Sequence, residues 1–353
     1  MEGKNIIERF KNIDFLRFIL AVMIVMFHYR GCLSIKIFSH CNVCVDFFFI
    51  IAGFFLFNNI KNENTFTFAR KRFWRLVPMI WLLLLIIIIA DIFIKETSFS
   101  FSNNILRALL LSNIGFAPSV GGTFQLGVLW FVPVLFWVSI FYFYIHKIFE
   151  KKYLNLVIWL IIIFSYTLYY TNNGFGTGGH SKTLYHFADI GVLRGLAGIG
   201  LGYFISMLYK TDFLKNCTTG IKWFITGCEV FLMSFLAYYL LFTTKLPGKS
   251  GFVYIVTFSM LFYLFLSKQG YISKFFEKDF WTALGNSSYA IYIMHFPMFR
   301  ILHFTIYKHY SDFVSTHSIL VFAIQTMLAI LFGIFIHYIF EKPVGKYLKK
   351  KFL

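Results

Sequence analysis

The sequence predicts an all-α, polytopic integral membrane protein of about ten transmembrane helices, organised as one membrane domain over residues 1–353. The first observation is composition, because 59% of the residues are hydrophobic, 22% are aromatic and only 14% are charged. A soluble chain of this size needs far more polar surface. The second observation is that lysine and arginine lie between apolar runs. The net charge of +18 therefore reflects membrane topology, and we expect no nucleic-acid partner.

Ten apolar stretches have the length and composition of membrane-spanning helices. They are residues 13–29, 43–58, 76–94, 127–145, 154–170, 189–208, 223–242, 251–267, 288–306 and 318–340. The second and the eighth are short, so their boundaries are the least sharply defined. Residues 103–112 are too few to span a bilayer, and we predict an interfacial or re-entrant helix there.

The distribution of lysine and arginine predicts the orientation. With the N-terminus in the cytoplasm, 22 of the 33 basic residues lie in the cytoplasmic pieces and 8 in the outer loops. This excess of positive charge inside is the usual pattern of membrane proteins. We therefore predict that both termini are cytoplasmic and that the chain is a multi-pass protein of the cell membrane.

The first apolar segment carries Arg17 near its start and His28 near its end. On a helix, eleven positions give about 16.5 Å of rise and three turns, so the two side chains share a face. A basic side chain inside a bilayer costs about 2.5–3.5 kcal/mol. Arg17 can reach the interface and His28 can be an ordinary buried histidine, but the aligned pair favours catalytic roles, with His28 able to accept a proton.

Segments two and six each carry a charge. Asp46 either pairs with His28 and orients its imidazole, which would make it part of the catalytic group, or interacts with the positive end of its own helix. Arg194 lies among small residues in segment six and needs a counter-charge or a water-filled cavity. We predict a functional role for Arg194 in binding a cofactor.

The basic stretch before segment three contains Arg72 and Arg75, which are three positions apart and share a helix face. Ordinary anchoring at the cytoplasmic surface explains the neighbouring Arg70 and Lys71. For Arg72 and Arg75, bidentate contacts to a phosphate-rich cofactor are the preferred interpretation.

Three further residues are candidates for contact with the substrate. Tyr292 and His295 lie on one stripe of segment nine, just before Pro297, where His295 can act as a second acid–base or orienting group. Trp130 fits an aromatic belt at the outer boundary, or a substrate contact. Cys32, Cys41 and Cys44 share an outer loop that could hold a disulfide, but the five cysteines do not form a metal-binding pattern.

Taken in order, these motifs resemble the acyltransferase 3 family of integral membrane acyltransferases. The resemblance rests on Arg17 and His28 with ten residues between them, VDFFFIIAGFF in segment two, KRFWRLVP entering segment three, SYAIYIMHFP in segment nine and the terminal FEKP. It spans nearly the whole chain. It implies about ten helices and transfer of an acyl group, usually acetyl from acetyl-coenzyme A, to extracytoplasmic sugars of polysaccharide, lipopolysaccharide (a glycolipid) or peptidoglycan.

Two departures from the family pattern limit what is carried over. Many members have a tryptophan–serine–leucine motif and then a glutamate in the fourth span, where this chain reads LWFVPVLFW without an acid. Many also have serine where Ala52 stands. The chain resembles the branch without a C-terminal hydrolase-like domain. The alternative function is a transporter or flippase of a lipid-linked sugar, because intramembrane charges and a proline also suit a translocation path.

Overall fold

A computed structural model describes residues 9–94, 101–114, 128–172, 183–184, 188–243 and 251–352. The described part is almost entirely helical. In its first half the helices are α1 (Lys11–Tyr29), α2 (Cys44–Asn58), α3 (Thr65–Ile94), α4 (Phe101–Ala108), α5 (Phe131–Ile148) and α6 (Lys151–Asn172). Two short strands, β1 (Thr183–Leu184) and β2 (Ala188–Asp189), pair antiparallel before the second half begins.

The second half contains eight further helices. They are α7 (Ile190–Tyr209), α8 (Thr219–Phe242), α9 (Gly251–Ser267), α10 (Tyr271–Phe275), α11 (Asp279–Leu302), α12 (Ser311–Thr316), α13 (Ser318–Ile336) and α14 (Lys342–Phe352). Single 3-10 turns lie at Arg30–Cys32 and Cys41–Val43, and π-helical turns at His303–Tyr307 and His337–Glu341.

The prediction of an all-α polytopic membrane protein is confirmed. Eight helices of the described chain are long and apolar enough to cross a membrane. Of the other two predicted spans, α9 is apolar but has 17 residues, and α11 has 24 residues with several buried polar groups. Each of the ten predicted segments falls in a different helix. The predicted short helix is α4, which has eight residues.

The predicted boundaries differ most at α3. This helix begins at Thr65, eleven residues before the predicted start, because the basic stretch continues the helix beyond its apolar part. Pro78 lies inside the helix without ending it.

Two close helix contacts position the site. Helices α2 and α7 approach so closely that a Cβ atom on Gly202 would lie 2.4 Å from the carbonyl oxygen of Ile50. Helices α1 and α11 run in the same direction, because Gly285 contacts Asp14 near their starts and the His28 and His295 rings are neighbours near their ends. Small residues permit such contacts between membrane helices, where packing drives association.

Candidate active site

A cavity of about 1020 Å³ lies between α1, α2, α3, α5, α11 and α14. This volume is at the upper end of the range for small-molecule sites. Its wall includes nine basic side chains and three carboxylates, a strong excess of positive charge. These are Arg9, Arg17, Lys61, Lys71, Arg72, Arg75, Lys342, Lys346 and Lys349, with Asp14, Glu63 and Glu341.

Arg72 and Arg75 both line this cavity, as their common helix face predicts. The Arg72 side chain lies over the Phe68 ring at 5.7 Å. Its Nε atom is buried and has no hydrogen-bond partner among the residues that the structure describes. A buried donor without a partner costs free energy, so this atom is a candidate to bind a ligand oxygen. The neighbouring Arg70 does not line the cavity.

Arg17 also lines the cavity, together with an acid that sequence reasoning missed. Asp14 accepts a hydrogen bond from Arg17 at 3.2 Å and from the Nε atom of Arg9 at 3.0 Å. One carboxylate therefore holds two arginines at the cavity wall. The i, i+3 spacing of Asp14 and Arg17 on one helix face was the sequence feature that could have identified the pair.

The cavity approaches the two candidate histidines at its end near Tyr292, which is the lining residue of α11 farthest from the start of that helix. The Tyr292 ring centroid is 6.0 Å from that of His295, and the His295 centroid is 5.1 Å from that of His28. His28 itself does not line the cavity. Of the predicted pair, Arg17 therefore lines the cavity and His28 does not. His28 lies next to His295, whose ring is close to that of Tyr292.

The side chain of His295 has one ring nitrogen without a hydrogen-bond partner among the described residues. Its side chain is fully buried, and its Nδ1 atom lies 3.3 Å from the carbonyl oxygen of Ile291. If Nδ1 donates to that oxygen, Nε2 carries the lone pair. Within the described chain Nε2 has no hydrogen-bond partner. Tyr29 fixes this turn from α1 by donating its hydroxyl proton to the backbone oxygen of His295 at 2.8 Å.

Asp46 has a partner that the sequence interpretation did not give it, the arginine of segment six. Both of its carboxylate oxygens accept hydrogen bonds from Arg194, at 2.8 Å and 2.6 Å. Arg194 thus has the counter-charge that a membrane arginine needs, but it is 1% exposed and does not line the cavity. Its predicted contact with a cofactor is corrected to an ion pair that links α2 and α7.

Trp130 is a buried residue of this same region and does not line the cavity. Its side chain is 5% exposed, and the Arg194 guanidinium lies 4.8 Å from its ring centroid. Stacking of this kind stabilises a desolvated arginine.

Sequence reasoning also missed a histidine–glutamate pair in the cavity wall. The Nδ1 atom of His337 lies 2.7 Å from a carboxylate oxygen of Glu341, within the π-helical turn between α13 and α14. Their i, i+4 spacing indicated a shared helix face. No sequence pattern indicated that this face borders a cavity.

The cysteines are not bridged in the structure. Cys41 and Cys44 are buried thiols, and Cys32 is partly exposed. In the described ranges, no three His, Cys, Asp or Glu side chains form a group that could hold a metal ion.

Comparison with known proteins gives one result that bears on function. The model of a family described as an acyltransferase domain, Acyl_transf_3, matches residues 10–339. No curated protein and no solved structure matches the chain. The matched range contains His28, His295 and five basic residues of the cavity wall, from Arg17 to Arg75. Arg9 and the three cavity lysines of α14 lie outside it.

Proposed function

The chain belongs to the acyltransferase 3 family and is a membrane acyltransferase, and we propose that it transfers an acyl group, most simply acetyl, from acyl-coenzyme A to a hydroxyl group of a cell-surface polysaccharide or glycolipid. In this proposal the protein spans the cell membrane with both termini in the cytoplasm. The donor enters from the cytoplasm and the acceptor sugar approaches from the outer side.

One observation carries the proposal: a single cavity has basic side chains in its wall and reaches Tyr292, whose ring lies close to the first of two neighbouring histidines. Arg72 and Arg75 line the cavity together with Arg17. Tyr292 marks its other end, and His295 and His28 follow. Such a cavity suits a long ligand with phosphates at one end and a reactive group at the other.

The residues of the cavity fit coenzyme A. The buried Nε atom of Arg72 lacks a partner among the described residues, as expected of a donor that binds a phosphate oxygen of the ligand. Arg72 and Arg75 would hold phosphates, and Arg17 would contribute a third cation. The aromatic and aliphatic walls formed by Phe48, Phe131 and their neighbours would enclose the less polar arm. When bound, acyl-coenzyme A supplies a thioester, which is an activated acyl group.

The two histidines provide the acid–base chemistry in this proposal. A sugar hydroxyl is a weak nucleophile, so a base must remove its proton as the oxygen attacks the thioester carbonyl. His28 takes that proton, while the unpartnered Nε2 of His295 lies beside it and orients the hydroxyl or His28. The new C–O bond replaces the C–S bond, and His28 returns the proton to the departing sulfur. His28 can alternatively carry the acyl group itself before the acceptor attacks.

The test measures transfer of labelled acetyl groups from acetyl-coenzyme A to surface glycans in membranes. We expect His28→Ala to reduce transfer by about 10²–10⁴-fold, the usual contribution of a positioned base, and His295→Ala to reduce it as well. His317→Ala is the matched control, because His317 is exposed at the start of α13. Each variant is compared with the wild type at equal protein level.

Transfer that survives in His28→Ala would overturn the role of His28. Absence of label in the wild type, together with impaired glycan export after deletion of the gene, would instead favour a transporter of a lipid-linked sugar.

A further inference from the structure

The last helix, α14, presents a row of lysines to the cavity. Lys342, Lys346 and Lys349 all line it, and their i, i+4, i+7 spacing places them on one helix face. Two contacts fix the helix in this orientation. Leu348 is buried, and the Phe352 ring stacks on Trp74 of α3 at a centroid distance of 4.9 Å.

Several cations around this cavity have no carboxylate partner. Lys71 pairs with Glu63 at 2.5 Å, and Arg9 and Arg17 share Asp14. In the part of the chain that the structure describes, Arg72, Arg75, Lys346 and Lys349 form no ion pair. Like charges held together are unfavourable unless an anion neutralises them. Lys61 and Lys342 also line the cavity and form no ion pair among the described residues, so the unpaired cations comprise Lys61, two arginines of α3 and three lysines of α14.

We propose that α14 binds a second phosphate, separate from the one that Arg72 and Arg75 hold. This inference rests on the proposed function and refines it: the second phosphate is the one on the ribose of coenzyme A. The pyrophosphate of the donor pairs with the α3 arginines, and the ribose phosphate pairs with Lys346 and Lys349. The site therefore selects acyl donors with a phosphorylated ribose.

Gly345 supports a close approach of the ligand to α14. It lines the cavity between Lys342 and Lys346, and a Cβ atom built on it would meet nothing within 4 Å. A larger side chain at this position projects into open space and not into the protein. Gly345→Leu therefore obstructs the site without removing any charge.

The experiment compares the binding of coenzyme A and 3′-dephospho-coenzyme A to the purified full-length protein by calorimetry. Because hydrogen bonds to charged groups are stronger than those between neutral groups, the wild type should bind coenzyme A roughly tenfold or more tightly than the dephosphorylated form. Lys346→Gln/Lys349→Gln should abolish this preference. Lys350→Gln/Lys351→Gln is the matched control, because it removes the same charge from the same helix but neither residue lines the cavity. Gly345→Leu should weaken the binding of both ligands.

Three results would overturn the inference. Equal affinity of the wild type for the two ligands would exclude selection of the ribose phosphate and leave the proposed function intact. Failure to bind either ligand would overturn the proposed function as well. If the lysine substitutions act only in bilayers that contain anionic lipid, and not in neutral lipid, the lysines bind lipid headgroups and not the donor.

Discussion

At the scale of single residues, the ion pair between Asp46 and Arg194 shows how the interior of this protein accommodates charge. The two side chains are 4% and 1% exposed, and two hydrogen bonds join them. A further hydrogen bond links the Nη2 atom of Arg194 to the backbone oxygen of Asn42 at 3.2 Å. Neither charge lines the cavity, so we assign the pair to the stability of the protein and not to its chemistry.

Breaking this pair from one side should destabilise the protein. Asp46→Asn leaves Arg194 buried without a counter-charge, and removal of one partner of a buried pair costs about 3–5 kcal/mol. The double variant Asp46→Leu/Arg194→Met removes both charges and should lose much less stability than Asp46→Asn. Thermal unfolding in detergent measures both effects. Unchanged unfolding of Asp46→Asn, or a double variant less stable than it, would contradict this assignment.

The cavity arginines should act on donor binding. Arg72→Ala/Arg75→Ala removes cations that hold the donor equally in the ground state and the transition state, so KM for acyl-coenzyme A should rise with little change in kcat. A tenfold increase in KM corresponds to a loss of about 1.4 kcal/mol. Arg70→Ala is the control on the same helix, because Arg70 lies outside the cavity wall. A fall in kcat at unchanged KM would instead place these arginines in the reaction step.

The role of a residue was predictable where it depends on one helix. It was not predictable where it depends on the facing helix. The three-residue spacing of Arg72 and Arg75 correctly placed both on one face. For Asp46, the spacing could not identify the partner, because Arg194 lies 148 positions away in sequence. The pairing of Asp46 with Arg194 was missed for this reason.

At the scale of helices, close contacts between backbones restrict which residues a position can hold. Along the contact between α2 and α7, a Cβ atom on Gly53 would lie 2.3 Å from the carbonyl oxygen of Ile199, and one on Gly202 would lie 2.4 Å from the backbone of α2. The backbone cannot move away here without separating the two helices that Asp46 and Arg194 join.

Gly202→Val should therefore separate α2 from α7. Overpacking typically costs about 1–3 kcal/mol, and here the clash is with backbone atoms. We expect Gly202→Val to have a lower unfolding temperature than the wild type and a lower yield of folded protein in detergent. Gly227→Val provides the comparison, since a Cβ atom there meets nothing within 4 Å. If the two valine variants unfold at the same temperature, the contact is less rigid than its distances indicate.

The helices themselves were largely predictable because length and hydrophobicity decide them. The eighth predicted span, 251–267, coincides with α9. The start of α3 was not predictable from hydropathy, since six of its first eleven residues are polar or basic and this stretch becomes helical as a continuation of an apolar helix. The π-helical turns had no sequence pattern to indicate them.

At the scale of the whole molecule, the cavity forms only when the helices of the chain pack together. Its walls come from helices that are far apart in sequence, from Arg9 to Lys349. Several of its residues, including Arg17, Arg72, Arg75 and Tyr292, were predictable from the sequence, but the cavity itself was not. A cavity depends on how helices are arranged, and periodicity within each helix does not determine that arrangement.

The predicted orientation can be tested across the whole chain. Ten spans place both termini on the same side, and the excess of positive charge places that side in the cytoplasm. A cysteine introduced at Lys351 should react with an impermeant thiol reagent only after the membrane is opened, while one at Ser311, between α11 and α13, should react in intact cells. The five native cysteines are first replaced by alanine or serine. Labelling of the Lys351 site in intact cells would reverse the orientation.

The π-helical turn at His337–Glu341 has a consequence for how α14 faces the cavity. A π turn accommodates one residue more than an α-helical turn, and one residue rotates everything after it by about 100° around the helix axis. The rotational phase of α14 relative to α13 is thus set by a single inserted residue. Deleting Tyr338, which is 45% exposed, would restore an unbroken helix and turn the lysine row about a quarter of a revolution away from the cavity without changing any of its residues.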